Sequence, residues 1–276
     1  MTELSPLIMY ELKRGNELNL LLINDFEGLG YHNYRLIPGL DVLVPFSRNE
    51  RINDYALNLF CCKEDAAHTL EGAGFLTRNL PISIPIDTSV VARHVDNLPY
   101  SAALKKCVPP PSKIEGHDTY LEIIASYLMS LSESIPTPNR VSHLIMALTK
   151  MHDMVSTGTQ SATRLATFSR IAFYAVQRGL GVNILTRLLE QHYAKPVFKI
   201  DEVFLPASPI YDHIDTGANI NAWLLSSILE QFIVKHAFSV YFTNRKTLSL
   251  HEKLRTLGFA TSEMTRRYEL LKRCFP

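Results

Sequence analysis

A charge excess of either sign is missing from this sequence, where 28 basic residues face 27 acidic ones for a net charge of +1. Proteins that hold nucleic acid by bulk electrostatics are strongly basic, so that class is disfavoured, although a local basic patch is still allowed. Long apolar runs are missing too. No stretch reaches the roughly 18 apolar residues of a membrane-spanning helix. Met1-Thr2-Glu3-Leu4-Ser5 has neither the basic start nor the apolar core of a signal peptide. A cytoplasmic location is therefore expected.

Cysteine is sparse. Cys61, Cys62, Cys107 and Cys274 contain no C-x-x-C pair, which leaves a zinc ribbon or thioredoxin-type motif without support. All four read as buried thiols in a reducing compartment. Cys61 and Cys62 are adjacent, so on a strand they face opposite sides of the sheet. The histidines form no metal signature: His143 and His152 stand nine apart, His117-Asp118 is isolated, and H-E-x-x-H is absent. No G-x-S-x-G elbow marks a hydrolase nucleophile.

What is present is a chain of 276 residues with 46% apolar content, enough for one or two packed domains. Leu7 to Lys13 reads as a buried strand that enters a turn at Arg14-Gly15-Asn16, with Asn16 as a candidate N-cap. Leu18, Leu21, Leu22, Phe26 and Leu29 follow at helical spacing, and Gly28 and Gly30 close that helix. Tyr31 to Ile37 and Leu40 to Phe46 alternate around Pro38-Gly39 as a hairpin, Ser47 to Arg51 is a polar loop, and Ala56 to Cys62 is a further strand. A helix over 64–73 ends at Gly74. From Phe75 to Ser112 prolines weaken the pattern, with one helix expected near Ser101 to Cys107.

The remainder is helical. Apolar stripes run over 119–132, 141–155, 162–178, 182–193, 219–237, 248–257 and 262–273. A proline break at Pro136 to Pro138 separates the first two stripes, and Gly179-Leu180-Gly181 is read as the turn between 162–178 and 182–193. The single tryptophan, Trp223, is expected in the core, and Tyr241-Phe242 forms a short aromatic segment. Arg266, Arg267, Lys272 and Arg273 make the last helix basic, which complements its dipole and leaves a nucleic-acid role as a minor alternative.

Pro6 to Lys13, the helix through Phe26, Leu29-Gly30-Tyr31, Tyr34-Arg35-Leu36 and Asn58-Leu59-Phe60 together resemble the closing portion of FkbM-type, S-adenosylmethionine-dependent O-methyltransferases. Pro206-Ala207-Ser208-Pro209, Trp223-Leu224, Phe238-Ser239, Tyr241-Phe242, Gly258-Phe259 and Glu263-Met264 resemble helical extensions found in some bacterial members. The resemblance implies a transferase acting on a sugar or small polar metabolite. It places Glu11 and Lys13 at the tip of a parallel strand, bordering the acceptor, as catalytic candidates. It supplies no cofactor-binding residue, because the glycine-rich turn and the acidic strand end of that fold would precede Pro6. S-adenosylmethionine is expected only if the missing half is supplied, and a partner could pair with the sheet edge left there.

The expectation is thus an α+β, mainly helical chain. Residues 1–63 form a partial Rossmann-like segment of strand, helix and hairpin, 64–116 a connector, and 117–276 an α-helical domain. Functionally it is the C-terminal portion of an FkbM-like methyltransferase, inactive alone; the alternative is a non-catalytic helical protein-interaction module. No metal site is expected.

Overall fold

The computed structural model describes residues 5–14, 17–46, 58–107, 115–158, 160–237 and 245–275. The chain opens with strand β1 (Ile8–Glu11), a ribbon of β2 (Lys13–Arg14) and β3 (Glu17–Leu18), helix α1 (Leu20–Gly28), the hairpin β4 (His32–Ile37) and β5 (Val42–Pro45), and β6 (Asn58–Cys62). The order strand, helix, hairpin is the expected one. Strand direction is not. The four longer strands form one sheet in the order β1-β6-β4-β5, and every pair in it is antiparallel.

Register explains why β1 turns this way. Tyr10 lies opposite Leu59 and Ile8 opposite Cys61. Tyr10, Leu59 and Cys61 are buried together with Ile23 of α1, and the Tyr10 and Phe26 rings lie 4.8 Å apart. Antiparallel pairing sets the apolar side chains of both strands on the face that α1 covers. The apolar run ends at buried Leu12, and Lys13 already belongs to the ribbon.

Helix α1 starts one turn later than expected. Asn19 caps it, its side chain accepting from the Leu22 amide at 3.4 Å. The proposed cap Asn16, the polar loop 47–51 and the first residues of the strand expected from Ala56 lie outside the described residues, as does Tyr241-Phe242.

Helix α2 (Glu64–Gly72) ends at Gly74, whose φ of +81° suits a residue without a side chain. The expected connector then carries two helices, α3 (Ser89–Asp96) and α4 (Ser101–Cys107). Val91, Val95, Leu98, Tyr100 and Leu104 from this stretch are buried in the main core. Helices α5 (His117–Leu131), α6 (Thr137–Ser156), α7 (Ala162–Tyr174), α8 (Arg178–His192), α9 (Ile220–Lys235), α10 (Arg245–Thr256) and α11 (Ser262–Cys274) complete an α+β, mainly helical protein. Pro138 falls in the first turn of α6, where a missing amide proton costs nothing, so the prolines start that helix.

The turn between α7 and α8 is a correction. Gly179 and Gly181 lie inside α8, and the break falls at 175–177. There Val176 adopts φ +64°, while Gln177 N–H bonds to Ala172 O at 2.8 Å and Val176 N–H to Phe173 O at 3.2 Å, closing α7. Gly181 is small for a packing reason: a Cβ there would come within 2.7 Å of the Phe173 ring.

One apolar cluster spans most of the molecule. Ile37, Leu40, Val42 and Val44 of the hairpin join it with the helices, across the expected boundary at residue 63. Trp223 is fully buried within it and donates from Nε1 to Ile214 O at 2.9 Å. Cys61 and Cys62 are buried as expected, whereas Cys274 ends α11 on its outer face and is exposed; the Cys107 side chain lies outside the described residues.

Candidate functional site: an open sheet edge and a cationic cleft

Glu11 and Lys13 do not gather a site. Glu11 is exposed at the end of an edge strand, opposite Asn58, and the parallel strand tip that would have aimed it at a ligand does not exist. Lys13 pairs with Leu18 in the ribbon. Among the described residues no group of three or more His, Cys, Asp or Glu side chains could hold a metal ion. No described helix is long and apolar enough to cross a membrane.

The sheet edges differ from each other. On the outer side of β5, Leu43 exchanges bonds with the segment after α2: its amide donates to Phe75 O at 2.8 Å, and its carbonyl accepts from Thr77 N–H at 3.0 Å. On the outer side of β1 no described strand pairs. Exposed apolar groups occur in the same part of the chain. Leu7 precedes β1 and Met9 lies within it, 61% exposed and on the face opposite Tyr10, whereas Leu20, Leu21 and Leu29 belong to α1 and its cap on the Tyr10 side. The first four residues of α1, Leu20 to Ile23, are all apolar, yet only Ile23 in the helix is buried. Among the described residues after 29, Phe75, Ile82, Val197, Ile210 and Leu270 are the comparable exposed side chains, and they are dispersed along the chain.

The second feature is a cleft of about 640 Å³, within the range of small-molecule sites. The hairpin turn at Pro38-Gly39, the ends of α7 and α9, the start of α8 and the Ser208–Ile210 segment enclose it. Gly39 sits so near Tyr174 that a Cβ would lie 2.4 Å from its ring. Four charged side chains line the cleft: Arg170, Arg178, Glu230 and Lys235.

Two of these are held from behind. Arg170 forks onto Asp212 at 2.8 and 2.5 Å, and its Nε donates to the Tyr127 hydroxyl at 3.1 Å. Glu230, fully buried, accepts from Arg267 of α11 at 2.5 Å through Oε1, and its Oε2 has no partner among the described residues. Burial raises the Glu230 pKa and Arg267 pulls it back down. Arg178 closes the C-terminal end of α9, donating to Lys235 O at 2.7 Å and Ala237 O at 2.5 Å. Burial, and then the neighbouring Arg178 charge, hold the Lys235 ammonium below the usual lysine pKa.

A third buried pair, Arg164 with Glu202 at 2.7 and 2.8 Å, ties α7 to the crossover before α9. These three arginine–carboxylate pairs were not anticipated. The signal was available: a charge inside a wide apolar stripe, such as Arg164 and Arg170 in α7 or Glu230 in α9, must find a buried counter-charge. The basic face expected on the last helix is partly internal for the same reason, since Arg267 turns inward to Glu230 and Arg266 pairs with Glu263 at 3.2 Å. No protein-family model matches the chain, and neither does any curated protein or solved structure.

Proposed function

We propose that the chain is a non-catalytic helical interaction module that pairs a strand of a protein partner onto β1. The observation that carries this reading is the outer side of β1, on which no described strand pairs, with Leu7 and Met9 exposed along it. An edge strand offers a row of unpaired amides and carbonyls, and proteins ordinarily blunt such edges with charge, proline or a cover. Here Leu7 and Met9 are exposed along the strand and the charge of Glu11 sits only at its end, a pattern compatible with an added strand. A photo-cross-linking amino acid placed at Met9 in cells should yield a discrete protein adduct. The same group at Ile82, which is fully exposed, should not. Equal smears at the two positions, or no adduct at Met9, would count against the reading.

The second reading, the closing part of an FkbM-type methyltransferase acting on a sugar or small polar metabolite, draws on the retained order of strand, helix and hairpin. It requires S-adenosylmethionine binding once a complementary half is supplied. Calorimetric titration with that cofactor separates the two readings, since the interaction module gives no saturable heat.

A further inference from the structure

Lys235 ends α9 with its Nζ 5.9 Å from the centre of the Phe173 ring. No carboxylate pairs with it among the described residues, and Arg178 of α8 faces it with a like charge. A half-buried ammonium in that position is under-compensated, and an anion is what lowers its free energy. Its own helix terminus does not play that part, because Arg178 already occupies the carbonyls of Lys235 and Ala237.

The remaining charges decide orientation. Arg170 of α7 is neutralised by Asp212, so it adds little attraction. Glu230 is likewise paired, with Arg267, so Lys235 is the charge in the lining without a described counter-ion. An incoming anion therefore sits at the Lys235 end. Phe173, Tyr174, Val176 and Ile210 wall the rest, so an apolar body fits inward of the charge. Val176 keeps φ +64° in that wall, an unfavourable state for a β-branched residue and of a kind that clusters at ligand sites.

We propose that the cleft is a binding site for a small anion with an apolar ring-bearing body, its charged group against Lys235 and Arg178 and its body against Phe173 and Tyr174. Carboxylate and phosphate share this chemistry. The site is independent of strand pairing at β1, and either can fail without the other.

Calorimetric titration of the full chain with benzoate and with phenyl phosphate tests it, with inorganic phosphate and benzyl alcohol as the separate halves. At least one aromatic anion should saturate one site, about tenfold or more tighter than either half. Which one saturates distinguishes the carboxylate from the phosphate source. Binding should weaken as pH rises into the range where Lys235 gives up its proton. Lys235→Met should weaken binding about tenfold or more, the size of one charge-assisted contact. Lys235→Arg should retain binding but lose the pH dependence. Ile210→Trp, at a partly exposed wall position, should block the cleft, and the exposed Lys199→Met should change nothing. If neither anion saturates, or if Lys235→Met binds like the parent, the proposal is wrong.

Discussion

At the residue scale, two side chains report on the fold more directly than their neighbours. Val176 holds a left-handed backbone at the end of α7, where glycine is the usual occupant. That conformation costs an L-residue roughly 1–2 kcal/mol. In Val176→Gly the relieved strain is offset by the glycine's unfolded-state entropy and by lost contact with the core, so stability should change by less than about 1 kcal/mol, read as a urea midpoint at constant slope. His251 reports on acid. It is buried with neither ring nitrogen partnered among the described residues, and burial, then Arg267 and His236, push its pKa from 6.5 to about 4. The folded state thus keeps it neutral while the unfolded chain protonates it. Stability is complete above the ordinary histidine pKa and falls as pH drops from 6.5 towards 4. The loss is on the order of 3 kcal/mol, and His251→Leu should remove most of it in urea titrations across that window. Thiol chemistry is selective for the same physical reason. Burial raises Cys61 to about 11 and also raises Cys62, so alkylation should reach exposed Cys274 quickly and the pair only on unfolding.

At the element scale, the helices were the legible part of the sequence and their attachments were not. Apolar spacing near 3.6 located α5, α6 and α11 because each buries a broad face, whereas α9, buried on all sides over 222–231, was legible from its length and apolar content. Helix α3 escaped notice because Pro81 and Pro85 weaken the pattern just before it, although Val91 and Val95 carry the stripe that buries it. The α7–α8 turn was misplaced because glycine was given a conformational role at Gly181, where the Phe173 ring demands a small side chain instead. The buried pairs were legible only as unexplained charges, since a sequence does not show which carboxylate comes to meet which arginine. They give a sharp expectation. Arg267→Met leaves Glu230 buried without its counter-charge and should cost about 3–5 kcal/mol, whereas the double change Arg267→Met with Glu230→Met should cost far less than two such losses. A thermodynamic cycle in urea measures that difference.

At the scale of the whole molecule, the α+β, mainly helical class was readable, but the direction of β1 was not. A short apolar run looks the same in a parallel or an antiparallel sheet, and its partner β6 lies far along the chain. The core also crosses the boundary expected at residue 63, because Ile37, Leu40, Val42 and Val44 pack among the helices. Each such side chain contributes about 1.5–3 kcal/mol when buried. Their sum rivals the whole stability of an ordinary domain, about 5–15 kcal/mol. A chain cut to residues 64–276 should therefore lose its single cooperative melt, and calorimetry of that fragment decides it.

The bonds from Leu43 to Phe75 and Thr77 set a limit on growth. With Leu43 bridged on one flank and no described strand on the other, ribbon is added most readily beside β1. Two copies meeting edge to edge there would cover both β1 flanks at once. Such joining favours a closed pair over an endless cross-β filament.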